Sequence, residues 1–165
     1  MDFEPQSELH LREASSGDIP KMAKHHRKMF EEIWERKGEH LDLTRAQELE
    51  KAYAQKLETE LRSGTCKAWV IEDGGNIVSS GGVTFVSFVP HPSDLSSKVA
   101  YLHSMYTERS HRNKNCAHRI LHSITEYCKS LRIKRIILYA SEAGQPIYQK
   151  VGFRSAPDMM RLFIE

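Results

Sequence analysis

The chain has 165 residues, enough for one folded domain with a developed core and too few to predict two. Its 24 basic and 22 acidic residues give a net charge of +2, which excludes a protein whose whole surface is built to bind a polyanion. The three cysteines form neither a metal-ligand spacing nor a disulfide framework, so we expect a reduced, cytoplasmic location. The sequence shows no secretory signal pattern and no apolar run of membrane-spanning length, and we expect no membrane partner.

The N-terminal half predicts three strands and two helices. Apolar residues recur at helical spacing in two segments, and the segment from Asp42 to Arg62 is followed by Gly64, a residue typical of helix C-termini. A Gly81-Gly82 pair predicts a bulge or a close backbone approach within the third strand. In chain order the predicted elements are a strand over 8–13, a helix over 20–38, a helix over 42–62, a strand over 66–71, a hairpin turn over 73–76 and a strand over 77–89.

The C-terminal half is organised around a strand, a basic turn and a helix. Its predicted elements are a strand over 99–107, a turn over 108–114, a helix over 115–132, a strand over 133–140, a short helix over 142–151 and a final strand over 159–164. The basic turn leads directly into a helix N-terminus, where unpaired N–H groups and the helix dipole favour a phosphate. The strand–helix–strand connection is long enough to make the two strands parallel and the crossover right-handed.

Three blocks of this half are distinctive: Arg112–Ala117, Arg135–Ser141 and Pro146–Phe153. Together they resemble the GCN5-related N-acetyltransferase (GNAT) superfamily. Arg112-Asn-Lys-Asn-Cys-Ala117 is similar to the family's pyrophosphate loop, Arg135–Ser141 to its fifth strand, and Pro146-Ile-Tyr-Gln-Lys-Val-Gly-Phe153 to its Leu-Tyr-x-x-x-Gly-Phe signature. Asn115 stands where the family has its first loop glycine, and we expect Asn to adopt the same left-handed conformation. The resemblance implies one α/β domain over 1–165, with a mixed, mostly antiparallel sheet, a splayed central pair of parallel strands and helices on both faces.

The resemblance also implies acetyl-CoA as co-substrate and assigns its contacts. Pantetheine would lie against Met105, Tyr106 and Thr107, with the N–H of Met105 stabilising the developing oxyanion. Tyr148 matches the family tyrosine that protonates the departing thiolate. The pyrophosphate would bind the residues that open the helix: Arg112, Asn113, Lys114, Asn115, Cys116, Ala117 and His118.

The resemblance leaves the general base undecided. Histone-modifying relatives carry a glutamate at the position of Tyr101. Strand alternation places His103 on the face of Tyr101 and Met105, and histidine titrates near neutrality. We therefore take His103 as the candidate catalytic base, with Glu142 and a water chain as alternatives.

Six glutamates of the first two predicted helices and their connection could favour a cationic acceptor, although we prefer to interpret them as solvated helix faces. They are Glu31, Glu32, Glu35, Glu39, Glu48 and Glu50. We expect a small-molecule amine as acceptor, with antibiotics, polyamines, amino acids and protein N-termini all open, and a homodimer as an assembly that the sequence allows. The histidines predict no metal site. A non-catalytic acetyl-CoA-binding module is the alternative, while near-neutral charge argues against a nucleic-acid partner.

Overall fold

The computed structural model describes residues 8–164 and contains one five-stranded sheet with the strand order β1-β2-β3-β4-β5. The strands are β1 (His10–Glu13), β2 (Cys66–Asp73), β3 (Asn76–Ser87), β4 (Lys98–Thr107) and β5 (Ile136–Leu138). The helices are α1 (Ile19–Arg36), α2 (Leu43–Ser63), α3 (Cys116–Ser130) and α4 (Gln145–Val151).

Local sequence accounts for the helix ends. α1 carries Pro20 in its first turn, where a missing N–H costs no hydrogen bond. α2 begins after Asp42, whose side chain accepts a hydrogen bond of 2.9 Å from the N–H of Arg45. Gly64 ends α2 with φ = 76°, a left-handed conformation that glycine adopts without steric cost.

The sheet is antiparallel from β1 to β4, and β4 and β5 form its only parallel pair among the described residues. The register between β3 and β4 shifts between Ser80 and Gly82, which confirms the bulge predicted from the glycine pair. Opposite this shift Ser104 has φ = 59°, which is uncommon for a residue other than glycine. The central strand therefore changes its pleat near its middle.

Helices cover both faces of the sheet, as predicted. α1 and α2 bury one face of β2, including Cys66, Ala68 and Val70, while α3 packs against Trp69 and Ile71 on the other. The buried residues of α3 are at most 2 % exposed: Cys116, Ile120, Leu121, Ile124 and Cys128. Burial at this level contributes roughly 1.5–3 kcal/mol for each large aliphatic side chain.

Two predicted strands differ from the structure. β5 spans three residues instead of the eight predicted over 133–140, since it pairs with β4 only through Ala100, Tyr101 and Leu102. The final strand predicted over 159–164 is wrong, because this segment has no partner strand among residues 8–164. Met160 and Ile164 are 94 % and 90 % exposed, so an apolar composition without a neighbouring edge does not make a strand.

Within the described part of the chain, none of the helices combines the length and the apolar composition needed to cross a membrane.

Candidate active site

The two parallel strands separate after a short paired stretch. Their register runs from Ala100–Ile136 to Leu102–Leu138, and β4 continues to Thr107 without β5 beside it. His103, Tyr106 and Thr107 are still paired with β3 on the other side of the strand. One edge of the central strand is therefore free, and its N–H and C=O groups can bind an extended ligand as a further strand would.

The pleat change at Ser104 reverses the orientation of the side chains after it. Met105 packs with Ile120 of α3 around Gly81, whereas His103 contacts Tyr53 of α2 on the opposite face. The prediction that His103 and Met105 share a face is therefore wrong. Side chains of a regular strand alternate between the two faces of the sheet. The left-handed Ser104 shifts this alternation by one position, so Met105 lies on the face opposite His103.

His103 is buried, with 8 % exposure, and both of its ring nitrogens lie within hydrogen-bond distance of hydroxyl groups. Nδ1 is 3.0 Å from Tyr53 Oη and Nε2 is 2.8 Å from Thr84 Oγ1. Desolvation lowers the pKa of His103 to about 3, well below the neutral range expected from its residue type. A Cβ at Gly82 would lie 2.9 Å from the imidazole, so only glycine fits beside it.

A second histidine contacts the left-handed residue from α1. His26 Nδ1 lies 2.6 Å from Ser104 Oγ, and its ring stacks on Tyr53 at a centroid distance of 4.0 Å. Burial lowers the pKa of His26 to about 4. The neutral imidazoles of His26 on α1 and of His103 on β4 therefore pack at the bulge. These contacts fix the backbone where the free edge begins.

The loop before α3 has the backbone conformation predicted for it. Asn115 has φ = 64° and precedes the first turn of α3, which confirms that it replaces glycine in a left-handed position. Asn113 also has positive φ, at 62°. The first N–H groups of α3, at Cys116, Ala117 and His118, have no intrahelical acceptor and face the end of the loop.

Arg112 is held by α1. Its guanidinium donates to both carboxylate oxygens of Glu32 at 2.9 Å and, through Nε, to the carbonyl of Thr107 at 3.0 Å. Glu32 also accepts from the hydroxyl of Tyr106 at 2.9 Å. Burial alone would raise the pKa of Glu32, but the hydrogen bonds from Arg112 and Tyr106 outweigh it and lower the pKa. Arg112 therefore anchors the loop, while the exposed Lys114 is the side chain with freedom to meet an anion.

Tyr148 lies on the α3 side of the sheet, packed edge-on against Phe153 at 5.8 Å. Burial raises the pKa of its phenol to about 12, so the hydroxyl keeps its proton throughout the neutral range. Cys116 is buried and its thiol pKa is raised, which does not favour a nucleophile. Among residues 8–164, no group of three or more His, Cys, Asp and Glu side chains is placed to hold a metal ion.

The sequence profile of the acetyltransferase (GNAT) family matches residues 19–153. The free edge, the left-handed loop and α3 all lie within this range. The chain belongs to this family. The resemblance noted from the sequence is thereby confirmed, and acetyl-CoA is the co-substrate of this acyltransferase. No curated protein matches the sequence significantly.

Solved GNAT structures share the fold at low sequence identity. A predicted acetyltransferase from Clostridium acetobutylicum, solved with acetyl-CoA, is 22 % identical over 94 % of this chain and 96 % of its own, with a TM-score of 0.84. A GCN5-related N-acetyltransferase from Ralstonia eutropha is 24 % identical over 94 % and 99 %, also at 0.84. Glucosamine-6-phosphate N-acetyltransferase from Arabidopsis thaliana is 17 % identical over 96 % and 99 %, at 0.63.

Arginines lie within ion-pair distance of most of the glutamates that suggested a cationic acceptor for this GNAT protein. Arg27 pairs with Glu31 and Glu50, at 2.8 and 2.6 Å. The other pairs are Glu32 with Arg112, Glu35 with Arg109 and Glu48 with Arg45. These five carboxylates therefore give little support to a binding site for a polycation.

Sequence reasoning missed the residues that reach the GNAT site from α1. Neither His26 nor Glu32 shows a local motif, because their partners Ser104 and Arg112 lie 78 and 80 residues away. The Gly81-Gly82 pair was the available indication, since a bulge in β3 requires a matching irregularity in β4.

Proposed function

We propose that this GNAT protein is an N-acetyltransferase that acetylates the primary amine of a small molecule by direct attack on acetyl-CoA. The observation that carries the proposal is the free edge of β4 beyond Leu102, beside a loop in which Asn115 is left-handed. We also propose that residues 1–165 form one domain, in keeping with the single sheet that connects β1 to β5.

The free edge supports a binding site for the pantetheine arm. The backbone of Met105, Tyr106 and Thr107 lies beyond the last β4–β5 pair and can offer groups to amides of the cofactor, apart from the carbonyls of Tyr106 and Thr107, which accept from Ser79 Oγ and Arg112 Nε. The N–H of Met105 is our candidate donor to the thioester oxygen. We assign the pyrophosphate to the loop over 112–118, where backbone N–H groups and the α3 dipole favour negative charge.

The transfer requires one bond to form and one to break. The neutral amine nitrogen attacks the thioester carbon and the N–C bond forms, the nitrogen then gives one proton to water, and the C–S bond breaks to leave the amide and the coenzyme A thiolate. Tyr148 Oη donates its proton to that sulfur and is reprotonated from solvent. The role requires a protonated donor, and a phenol is protonated at neutral pH both at its ordinary pKa and at the raised value of about 12, so the assignment rests on the match of Tyr148 to the family signature.

The proton of the acceptor ammonium is assigned to water. His103 is a weak base because burial lowers its pKa to about 3, and hydroxyl groups already occupy both its nitrogens. We therefore propose that His103 positions the bulge and that the amine loses its proton to solvent before attack. Glu142 is exposed and is the alternative acceptor.

Thiol release with an amine panel, together with the melting temperature in acetyl-CoA, tests the proposal. An enzyme binds acetyl-CoA and releases coenzyme A only when an acceptor is present, whereas a binding module gives the thermal shift without thiol release. The left-handed Asn115 removes one argument for the module, because the loop keeps the glycine-like geometry. Thermal stabilisation without acetylation of any amine would contradict the N-acetyltransferase.

We propose a cytoplasmic location because the three cysteines are free and buried, which suits a reducing compartment. We also propose a homodimer, since the exposed apolar segment over 159–164 would be covered by a second copy. Light scattering of the full chain and of a variant with Leu162→Ser and Ile164→Ser tests the assembly. A monomer in both proteins would contradict it.

A further inference from the structure

A continuous row of aromatic rings crosses the face of β4 that α1 and α2 cover. Each ring contacts the next, with centroid distances of 5.1, 4.0, 5.7, 5.6 and 5.9 Å along the row. We call these six residues the aromatic row: Phe30, His26, Tyr53, His103, Tyr101 and Tyr139.

The aromatic row is buried in its middle and accessible at both ends. Tyr53 and His103 are 5 % and 8 % exposed and are joined by a hydrogen bond. Tyr139 is 64 % exposed, and Tyr101 and Phe30 are partly exposed. An aromatic ring at this exposure has a free face that a ligand can contact.

The accessible end lies at the point where the strands separate. Leu102 and Leu138 are the last pair of the parallel ladder, and Tyr139 is the first residue after β5. Tyr101 Cα pairs in register with Ile137, and its ring meets that of Tyr139 edge to face at an interplanar angle of 82°. Met105 and Tyr148 lie towards α3 on the other face. An acceptor that approaches the free edge opposite α3 therefore meets the two tyrosines.

We infer that the acceptor is an amine that carries an aromatic ring, and that Tyr101 and Tyr139 bind this ring beside the free edge. The inference rests on the N-acetyltransferase function proposed above and specifies its substrate class. Edge-to-face and offset-stacked contacts select an aryl group over a saturated ring of the same size. A polycation would need unpaired carboxylates, and five of the six glutamates considered for that role are paired with arginines.

The test compares 2-phenylethylamine with 2-cyclohexylethylamine, spermidine and an aminoglycoside, using thiol release from acetyl-CoA. We expect kcat/KM for the phenyl amine to exceed that for its saturated analogue by about 3–10-fold, the selectivity that one aromatic contact supplies. Tyr139→Ala should raise KM for the phenyl amine roughly 10-fold and leave KM for acetyl-CoA within about twofold. Tyr139→Phe should retain the wild-type KM. Phe88→Ala removes a partly exposed ring near Arg135, at the opposite end of β5, and is the matched control.

A binding titration separates this inference from the function on which it rests. 2-Phenylethylamine is titrated into the coenzyme A complex of the wild type and of Tyr139→Ala. If the wild type binds the phenyl amine, Tyr139→Ala does not, and no turnover occurs, the result would support the aryl site and contradict the N-acetyltransferase. Turnover of spermidine or the aminoglycoside in preference to the phenyl amine would overturn the inference and leave the function standing. If the phenyl amine neither binds nor turns over, the aryl site would also be overturned.

Discussion

Acidification from about pH 7.5 to about pH 5.5 should destabilise the protein through its buried histidines. His25 and His103 are 0 % and 8 % exposed, and burial, the largest influence on each, lowers their pKa values to about 4 and about 3. In the unfolded chain both titrate near 6.5. The unfolded state therefore binds protons that the native state excludes, so stability is complete above about pH 6.5 and falls as the pH drops below it.

The loss follows from the unfolded-state titration. One pH unit below 6.5, each buried neutral histidine costs about 1.4 kcal/mol, so the two together lower the free energy of unfolding by about 3 kcal/mol. His26 acts in the same direction. Burial alone would raise the pKa of Glu108, but hydrogen bonds from Lys28 and Lys21 lower it to about 2. Glu108 therefore loses stabilisation only below about pH 4.5, outside this window.

Urea denaturation at the two pH values measures this loss. His103→Gln should reduce the difference between the two unfolding free energies by about a third, because it removes one of the three histidines whose pKa values are lowered in the native state. His122→Gln, at an exposed position of α3, is the control and should leave the difference unchanged. An unfolding free energy that is equal at both pH values, or a wild-type difference in His103→Gln, would refute the burial argument.

Three further predictions concern the site. Tyr148→Phe should lower kcat roughly 10²-fold without changing Tm, since it removes only a positioned proton donor; steady-state kinetics within about twofold of wild type would end that assignment. The acidic limb of the kcat/KM profile should follow the pKa of the acceptor amine and persist in His103→Gln, whereas loss of a limb near pH 6–7 would restore His103 as the base. Asn115→Gly should keep or tighten acetyl-CoA binding in titration calorimetry and Asn115→Val should weaken it, because β-branched residues resist positive φ; equal affinities would show that this position does not constrain the loop.

Much of the fold was predictable because its determinants are local. α2 lies between Asp42, a residue typical of a helix start, and Gly64, a residue typical of a helix end, and both are recognisable in the sequence. The left-handed Asn115 was predictable for the same reason, since few residues other than glycine adopt that conformation.

The rest depends on contacts between distant residues. The reversal of Met105 follows from one left-handed serine, and a serine in a strand carries no indication of positive φ. The loss of basicity at His103 follows from burial beneath α2, which strand alternation cannot reveal. For the apolar segment over 159–164 the sequence predicted a strand that the structure lacks. Its composition is typical of a strand, but the described chain offers it no partner.

Amide hydrogen exchange with and without acetyl-CoA tests the central claim most directly, because it localises the cofactor on the chain. Peptides covering 103–107 and 112–118 should gain protection, since the cofactor would bind the free edge of β4 and the N–H groups that open α3. Peptides from α2 are the control and should exchange at the same rate in both samples. Acetyl-CoA that binds without protecting either segment would contradict this account of the site.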